Sequence, residues 1–319
     1  MSMQRQLAIV GLGRMGGSLA LHALEKGIRV AGFSRSGPSA ELLGAGLVPL
    51  PELAAVRSAL AHPRIVLIYV PAGRAVDGIL DELAEIVEPE DILVDGGNSY
   101  WGDSRRRHER LRSRGIHLVD LGTSGGIAGA RHGACFMAGG EREVVERVQP
   151  ILTELAVPGG FVNAGPPGAG HFVKLVHNGI EFGMLQAIGE GVHLLERYHD
   201  PLDIPGVLRC WRHGSVIRSW LVDLMEEAYR AAGGLASVPP YVEDTGEVNW
   251  LVADALRMEV PVPVIAQAVM QLFVSRDDER LSARAIAMMR HGFGGHPFGP
   301  DDDVRRERRE GRVGELPAE

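Results

Sequence analysis

Four polar side chains lie close together in the otherwise apolar segment HFVKLVHNGIE, residues 171–181. They are Lys174, His177, Asn178 and Glu181, and their spacing places them on one face of an α-helix. A charged stripe cannot enter a protein core without a large desolvation cost, so the pattern favours a functional site. The alternative is a solvated helix face, which the apolar flanking residues disfavour.

A lysine and a glutamate on one helix face can move protons on a bound hydroxy acid. A neutral lysine beside a nicotinamide can take the proton of a substrate hydroxyl while hydride leaves the carbon, and burial favours the neutral amine. If the product is a β-keto acid that loses CO₂, Lys174 can stabilise the enolate and Glu181 can protonate the carbon. His177 and Asn178 would hold the hydroxyls and orient the carboxylate. The histidines and cysteines lack the spacing of metal ligands, so we predict no metal site.

A second motif, GLGRMG at residues 11–16, follows the first apolar run and matches G-x-G-x-x-G. In a dinucleotide site Gly11 allows the tight turn, Gly13 lets the pyrophosphate approach the backbone, and Gly16 allows close helix–strand packing. The alternative is an ordinary strand-to-helix turn. We predict cofactor contacts from the whole motif: Gly11, Leu12, Gly13, Arg14, Met15 and Gly16.

The end of the second apolar run indicates which dinucleotide binds. An NAD site usually has a carboxylate there, whereas this chain has Ser34, Arg35 and Ser36. An arginine between hydroxyls suits a 2′-phosphate, so we predict NADP, with NAD as the alternative if Arg35 only stacks beside the adenine. Val70, Pro71 and Ala72, after another apolar run, are also predicted to contact the cofactor.

Two further turns, DGGNS (95–99) and GTSGG (122–126), also follow strand-like runs. Asn98 and Ser124 can hydrogen-bond a hydroxyl or a carboxylate, and Gly125 and Gly126 expose backbone N–H groups. Each turn alone is more often structural. Their shared position beside a nicotinamide site predicts that all four residues bind substrate, with Asn98 also contacting the cofactor.

The strands and helices that position these residues can be predicted from the pattern of apolar and polar residues along the chain. Up to residue 165, short apolar runs alternate with helical patterns, which predicts a parallel sheet covered on both faces. The predicted strands are 6–11, 28–33, 64–70, 91–97, 116–122 and 134–140, and the later predicted helices are 171–199, 206–232, 247–258, 262–275 and 280–290.

We therefore predict an α/β dinucleotide-binding domain of the Rossmann type followed by an all-α C-terminal domain. The predicted boundaries are 1–165 for the first domain and 166–300 for an all-helical substrate and dimerisation domain. The charged stretch 301–319 is predicted to be a disordered tail.

Composition excludes several classes of protein. The formal net charge of −8 argues against a general nucleic-acid binder. No apolar run approaches the roughly 20 residues of a membrane span, and a strand-like run starts too early for a signal peptide. Two distant cysteines, Cys135 and Cys210, argue against a disulfide framework. We expect a cytoplasmic protein.

Together these motifs make the sequence resemble the decarboxylating 6-phosphogluconate dehydrogenases in their shorter form, within the β-hydroxyacid dehydrogenases. The resemblance rests on GLGRMG, DGGNS, SGG, GAGHFVKLVHNGIE and the R-x-x-F-G-x-H pattern in RHGFGGH, and covers about nine-tenths of the chain. It implies that Lys174 is the general base and then acid, and that Glu181 is the general acid. It also implies that Arg290 and His296 bind substrate from the other subunit of a homodimer or tetramer.

The sequence departs from this family's pattern where the substrate phosphate binds. Phe182 stands where the family has tyrosine, Glu247 where it has a cation or hydroxyl, and Leu272 where it has arginine. Arg257 and Arg276 are candidates to compensate. One hypothesis is therefore oxidative decarboxylation of 6-phosphogluconate, and a second is the same chemistry on a sugar acid without the phosphate. A non-decarboxylating β-hydroxyacid dehydrogenase and a catalytically silent NADP-binding sensor remain the alternatives.

Overall fold

The structure, a computed structural model, describes residues 5–310. Eight strands form one sheet in the order β3-β2-β1-β4-β5-β6-β7-β8. The strands are β1 (Gln6–Val10), β2 (Arg29–Phe33), β3 (Val48–Pro49), β4 (Ile65–Ile68), β5 (Ile92–Asp95), β6 (His117–Ser124), β7 (Ala134–Gly139) and β8 (Ala156–Gly165). All six predicted strands are present, and the short β3 and the long β8 were not predicted.

The sheet is mixed rather than wholly parallel, which corrects the expectation from the sequence. The first six strands in the sheet order, from β3 at the edge through β2, β1, β4 and β5 to β6, run parallel. Strand β7 pairs with β6 in the antiparallel direction. The link between them, residues 125–133, is shorter than the dozen or more residues that a parallel crossover requires. The chain therefore reverses direction at this point.

Apolar side chains cover both faces of the sheet. Alternate residues of β1 point to opposite sides, so Leu7 and Ile9 join one buried cluster while Ala8 and Val10 join the other. The clusters bring helices to both faces, as the continuous apolar runs predicted.

The helices of this half of the chain pack on the sheet or connect its strands. They are α1 (Arg14–Glu25), α2 (Ala40–Gly44), a 3₁₀ turn (Leu53–Ala55), α3 (Val56–Ala59), α4 (Arg74–Ile86), α5 (Trp101–Arg112), α6 (Gly126–His132) and α7 (Arg142–Leu155).

After β8 the described chain is helical. The helices are α8 (Ala169–Glu196), α9 (Ile204–Trp211), α10 (Trp220–Ala232), α11 (Glu247–Arg257), α12 (Pro263–Arg276), α13 (Leu281–Gly294) and α14 (Asp302–Glu310). The single helix predicted over 206–232 is two helices. Gly214 adopts a positive φ between them, and the Ser219 hydroxyl accepts a hydrogen bond from the Val222 N–H and so starts α10.

The chain divides into two compact units. The sheet unit runs to Ile180 and includes the segment Gly246–Pro261, and the helical unit contains Glu181–Thr245 and the chain from Val262 onward. The boundary predicted at residue 165 lies where β8 ends. Part of the stretch predicted as a disordered tail forms α14, whose acidic first turn pairs with arginines one turn later, and residues 311–319 lie outside the described range.

Candidate active site

Five turns of the sheet unit meet at one edge of the sheet. Strands β1, β2, β4, β5 and β6 run parallel, so the turns that follow them all lie at their carboxyl ends. The strand order reverses direction at β1, with β2 on one side and β4 on the other, and ligands bind at such a switch point. The predicted cofactor and substrate segments lie at or directly after the carboxyl ends of these five strands: 11–16, 34–36, 70–72, 95–99 and 122–126.

Contacts within the chain require two glycines of GLGRMG, and the third leaves open space. Gly11 has a φ of 95°, and a Cβ there would collide with the Tyr69 carbonyl. A Cβ on Gly16 would collide with the Gly11 carbonyl, so α1 packs directly on the turn. Gly13 precedes the first residue of α1 and has open space where its Cβ would lie. The geometry fits a pyrophosphate at the N-terminus of α1.

The other predicted cofactor residues surround the same edge. Ser34 and Ser36 lie directly after β2 with their hydroxyl oxygens 3.1 Å apart, and the exposed Arg35 lies between them. After β4, Val70 is half-buried, and Pro71 and Ala72 are exposed. Because Arg35 is exposed, its side chain can bind an anionic group at this edge of the sheet.

Asp120 ties the start of α8 to the sheet. This buried carboxylate of β6 accepts hydrogen bonds from the Gly168 N–H at 2.7 Å and from the His171 N–H at 2.9 Å. It thus satisfies backbone donors at a helix start, which otherwise lack partners. The direction of α8 is therefore set from β6, the strand that carries the GTSGG turn.

Two glycines let the helix approach the sheet closely. A Cβ on Gly170 would lie 2.5 Å from the carbonyl oxygens of Asp120 and Met137, and a Cβ on Gly122 would lie 2.5 Å from Cβ of Lys174. Such contacts are impossible for larger residues. Lys174 is consequently held across Gly122, beside the turn after β6.

Three residues of the polar stripe form one hydrogen-bonded group with this turn. His177 Nε2 lies 2.9 Å from the Ser124 hydroxyl oxygen, and His177 Nδ1 lies 3.3 Å from Lys174 Nζ and 3.2 Å from Asn178 Oδ1. The amide of the buried Asn178 donates to Glu247 Oε1 at 3.5 Å. The structure therefore brings together Lys174, His177, Asn178 and Ser124.

The turn after β5 presents Asn98 to solvent while its neighbours are fixed. Asp95 is buried and accepts hydrogen bonds from the Gly97 N–H and the Ser99 hydroxyl. The ring of Tyr69 occupies the space that a Cβ on Gly96 would need. Asn98 is thus displayed on a rigid turn at the same edge as Ser124. Gly125 and Gly126, with positive φ, start α6.

The other predicted site residues, Glu181, Arg290 and His296, belong to the helical unit. Glu181 lies in α8 on the helical face of Lys174, by its spacing. Arg290 lies in α13 and is exposed. His296 follows α13 and packs its ring against Phe293.

The arginines considered as compensating cations are already ion-paired. Arg257 donates to Asp254 at 2.7 Å, and Arg276 lies 2.8 Å from Asp244. Glu247, at the first position of α11, belongs to the sheet unit and contacts Asn178. These contacts direct both cations to partners within the chain.

Several residues that shape the site were not predicted from the sequence. Asp95, Asp120 and Arg107 are buried charges, the two carboxylates in strands and the arginine in the polar helix α5, and a lone buried charge requires a partner. That rule could have identified Asp95 and Asp120, which stand inside strand-like runs. The Tyr69 hydroxyl lies 3.0 Å from the Thr123 hydroxyl, and loss of hydration raises the pKa of Tyr69 to about 12. Tyr69 is therefore a neutral hydrogen-bonding group.

Residues 5–310 contain neither a cluster of metal ligands nor a membrane-spanning helix. Between residues 5 and 310, no three His, Cys, Asp or Glu side chains are grouped closely enough to hold a metal ion. No helix in that part of the chain is both long and apolar enough to cross a membrane.

Comparison with known families matches both halves of the chain. Residues 6–164 match the NAD binding domain of 6-phosphogluconate dehydrogenase, and residues 170–296 match the C-terminal domain of that enzyme.

Individual proteins agree with this match. A protein of Haloferax volcanii named as an NAD⁺-dependent, decarboxylating 6-phosphogluconate dehydrogenase is 40% identical over 301 residues, which span 93% of this chain and 100% of that protein. An NADP⁺-dependent decarboxylating relative from Bacillus subtilis is 33% identical, with 89% of this chain and 64% of that enzyme covered. The solved 6-phosphogluconate dehydrogenase of Plasmodium falciparum superposes with a TM-score of 0.77 at 24% identity, over 94% of this chain and 68% of that one.

Proposed function

Because this chain belongs to the 6-phosphogluconate dehydrogenase family, we propose that it oxidises and decarboxylates 6-phospho-D-gluconate to ribulose 5-phosphate and CO₂, with NADP as the favoured cofactor. One observation carries the proposal. The group of Lys174, His177, Asn178 and Ser124 lies at the sheet edge that also holds GLGRMG, so a base and a dinucleotide turn serve one site.

The residues around α1 and β2 would hold the cofactor. The pyrophosphate binds at the turn 11–16, and the exposed Arg35 between Ser34 and Ser36 binds the 2′-phosphate. Val70, Pro71, Ala72 and Asn98 line the nicotinamide side. The bound dinucleotide supplies the hydride acceptor. The NAD⁺-dependent relative keeps NAD as the alternative cofactor.

Lys174 accepts the proton of the substrate hydroxyl as hydride leaves the same carbon. The contact with His177, itself bonded to Ser124, holds the amine in place. Asn98, Ser124, Gly125, Gly126, His177 and Asn178 bind the hydroxyls and the carboxylate of the substrate. Positioning of this kind lowers the entropic part of the barrier.

Decarboxylation then uses the two acids of the stripe. The β-keto acid loses CO₂, and the electron pair of the broken C–C bond forms an enolate, which the protonated Lys174 stabilises. Glu181 donates a proton to the carbon that lost CO₂, which yields the ketone. The metal-free proton transfers need only these two side chains.

We propose a homodimer with shared sites, and the exposed apolar side chains of α13 support it. None of the residues of this fully described helix is buried. Five of its apolar side chains are more than half exposed: Leu281, Ile286, Met288, Met289 and Phe293. Apolar surface of this extent marks an interface. We therefore place Arg290 and His296 on the phosphate and hydroxyls of a substrate bound by the other subunit.

The cellular site of action is the cytoplasm. Cys135 and Cys210 are both free thiols in exposed positions, which supports a reducing compartment.

A second candidate is the same reaction on a sugar acid without the phosphate. Phe182 and Leu272 cannot bind an anion, Glu247 repels one, and Arg257 and Arg276 are paired with carboxylates. Each charged hydrogen bond that is absent costs about 1.5–3 kcal/mol. Because both arginines are ion-paired within the chain, this alternative is favoured over a phosphate site rebuilt from Arg257 and Arg276.

The test measures formation of reduced cofactor with 6-phosphogluconate, gluconate and 3-hydroxyisobutyrate, each with NADP and with NAD. We expect kcat/KM to be highest for 6-phosphogluconate with NADP, with one CO₂ released per cofactor reduced. Equal or higher kcat/KM for gluconate would replace the first candidate by the second. Oxidation of 3-hydroxyisobutyrate alone would contradict both.

A further inference from the structure

A buried arginine links the two turns on which cofactor and substrate are expected to meet. Arg107 of α5 is 1% exposed. Its Nη2 donates to the Gly73 carbonyl at 3.0 Å, at the end of the turn that contains residues 70–72. Its Nη1 donates to the Ser99 hydroxyl at 3.1 Å and to Asp95 at 3.3 Å, and these residues flank Asn98.

A fourth hydrogen bond fixes the guanidinium from the side of α4. Nε of Arg107 donates to Asp77 Oδ1 at 2.8 Å, in the first turn of that helix. This bond holds the pKa of the Asp77 carboxyl below its usual range, so the carboxylate is charged at neutral pH. The planar guanidinium thus contacts the turn after β4, the turn after β5 and helix α4. A lysine has no such fork of donors.

We infer that Arg107 is a positioning residue that holds the cofactor turn (70–73) and the substrate turn (95–99) in one fixed arrangement. Arg107 itself lies beneath the turns, and it acts through Gly73, Asp95 and Ser99. Loss of the guanidinium therefore weakens cofactor binding and substrate binding together. The identity of the two ligands rests on the proposed function.

The molecule contains a matched control at the opposite ends of the same strands. Arg64, directly before β4, is 6% exposed and donates to Asp91, directly before β5, at 2.9 Å and to Glu88 at 2.8 Å. It is likewise a buried arginine that joins β4 to β5, but at their amino ends. A purely structural role predicts that Arg64 and Arg107 behave alike.

The experiment compares Arg107→Met, Arg107→Lys and Arg64→Met in the full-length protein. Dissociation constants for NADP and for 6-phosphogluconate are measured separately by calorimetry, without turnover, and thermal unfolding is recorded for each variant. We expect both arginine-to-methionine variants to unfold at lower temperature. We expect Arg107→Met, and not Arg64→Met, to raise the dissociation constants of both NADP and 6-phosphogluconate by tenfold or more. In Arg107→Lys, at most one of these two constants returns to the wild-type value.

Unchanged constants in Arg107→Met, or an equal rise in Arg64→Met, would overturn the inference. Should Arg107→Met fail to fold, Ser99→Ala decides, because it removes the hydroxyl contact and retains the guanidinium. We expect Ser99→Ala to raise the dissociation constant of 6-phosphogluconate at least threefold, and no change would count against the inference. Failure of the wild-type protein to bind 6-phosphogluconate contradicts the proposed function instead, and the NADP constants still test Arg107.

Discussion

The two units of the chain differ in how much of their chemistry is completed within one molecule. In the sheet unit, two apolar clusters cover the sheet, and the predicted residues Lys174, His177, Asn178 and Ser124 share hydrogen bonds. In the helical unit, α13 buries none of its residues, and Arg290 is exposed on it. On the proposed function, the proposed base Lys174 is held by neighbours within the sheet unit, whereas the proposed phosphate ligand Arg290 lies on an exposed helix that we expect a partner surface to cover.

The largest expected effect concerns the sheet unit. Lys174→Met removes the base, so we expect kcat to fall by about 10²–10⁴-fold, as general acid–base catalysis contributes. The dissociation constant for NADP should stay within threefold, which fluorescence titration measures. Lys26→Met, at the chain's other lysine, is the matched control and should keep full activity. Substantial turnover in Lys174→Met would show that the base lies elsewhere.

The next effect concerns the first residue of the helical unit. Glu181→Gln keeps the shape of the side chain but cannot donate the proton, so we expect kcat to fall about a hundredfold or more. Chromatography of the products measures ribulose 5-phosphate and any accumulated keto acid. Glu190→Gln, an exposed acid on the same helix, serves as control. Normal turnover in Glu181→Gln would favour a non-decarboxylating dehydrogenase.

A mixing experiment tests the partner surface directly. Arg290→Ala should raise KM for 6-phosphogluconate about tenfold or more through loss of a charged hydrogen bond, and leave KM for gluconate unchanged. Hybrids of Arg290→Ala with Lys174→Met contain one intact site if the arginine comes from the other subunit.

Random mixing should then restore about a quarter of the wild-type activity at low substrate concentration, since half of the dimers are hybrids with one active site each. Arg284→Ala, an exposed arginine of the same helix, controls for the loss of charge. Absence of recovery would place Arg290 in its own subunit's site.

A smaller effect separates helix capping in the two units. Asp120→Asn replaces one acceptor oxygen at the start of α8 by a donor, so we expect the free energy of unfolding to fall by about 1–3 kcal/mol. Because Lys174 is aimed by this helix, kcat should also fall severalfold. Asp203→Ala, which removes a side-chain cap on α9, should lower stability without changing kcat. Denaturant titration and steady-state kinetics distinguish the two.

The smallest effect is expected at Tyr69. Its pKa of about 12 means that the phenol keeps its proton throughout the neutral range, so it does not act as a base there. Tyr69→Phe should therefore lower kcat less than threefold and leave the shape of the pH–rate profile from pH 6 to 10 unchanged. If the pH–rate profile of Tyr69→Phe lacked an inflection that the wild-type profile shows, Tyr69 would have a role in proton transfer.

Much of the fold could be predicted because the relevant signals are local. Six strands appear as short apolar runs, and the polar stripe of α8 follows from helical spacing alone. Strand β3 has two residues, and β8 contains Pro158 and consecutive glycines, so neither forms a run that periodicity can detect. The reversal at β7 depends on the length of a connection rather than on composition.

The site was predictable where a motif is contiguous, as in GLGRMG. It was not predictable where a charge meets its partner across the fold. Asp120 bonds to Gly168, 48 positions later, and Arg107 bonds to Gly73, 34 positions earlier. In the sequence Arg107 resembles a surface charge of a polar helix, and the position of Asp120 in a strand-like run does not identify its partner, because both depend on long-range packing. The sequence likewise does not reveal that Arg257 and Arg276 are paired with carboxylates, so both remain candidates for binding an anion until the fold is known.

Both outer strands of the sheet resist pairing with strands of other molecules. One edge is β3, which has two residues including Pro49, and the other is β8, which carries Pro158 and pairs with β7 through register shifts. A proline offers no N–H to an incoming strand, and irregular edges do not template a regular one. The sheet can therefore hold a long parallel core at high protein concentration without growing into aggregates through its edges.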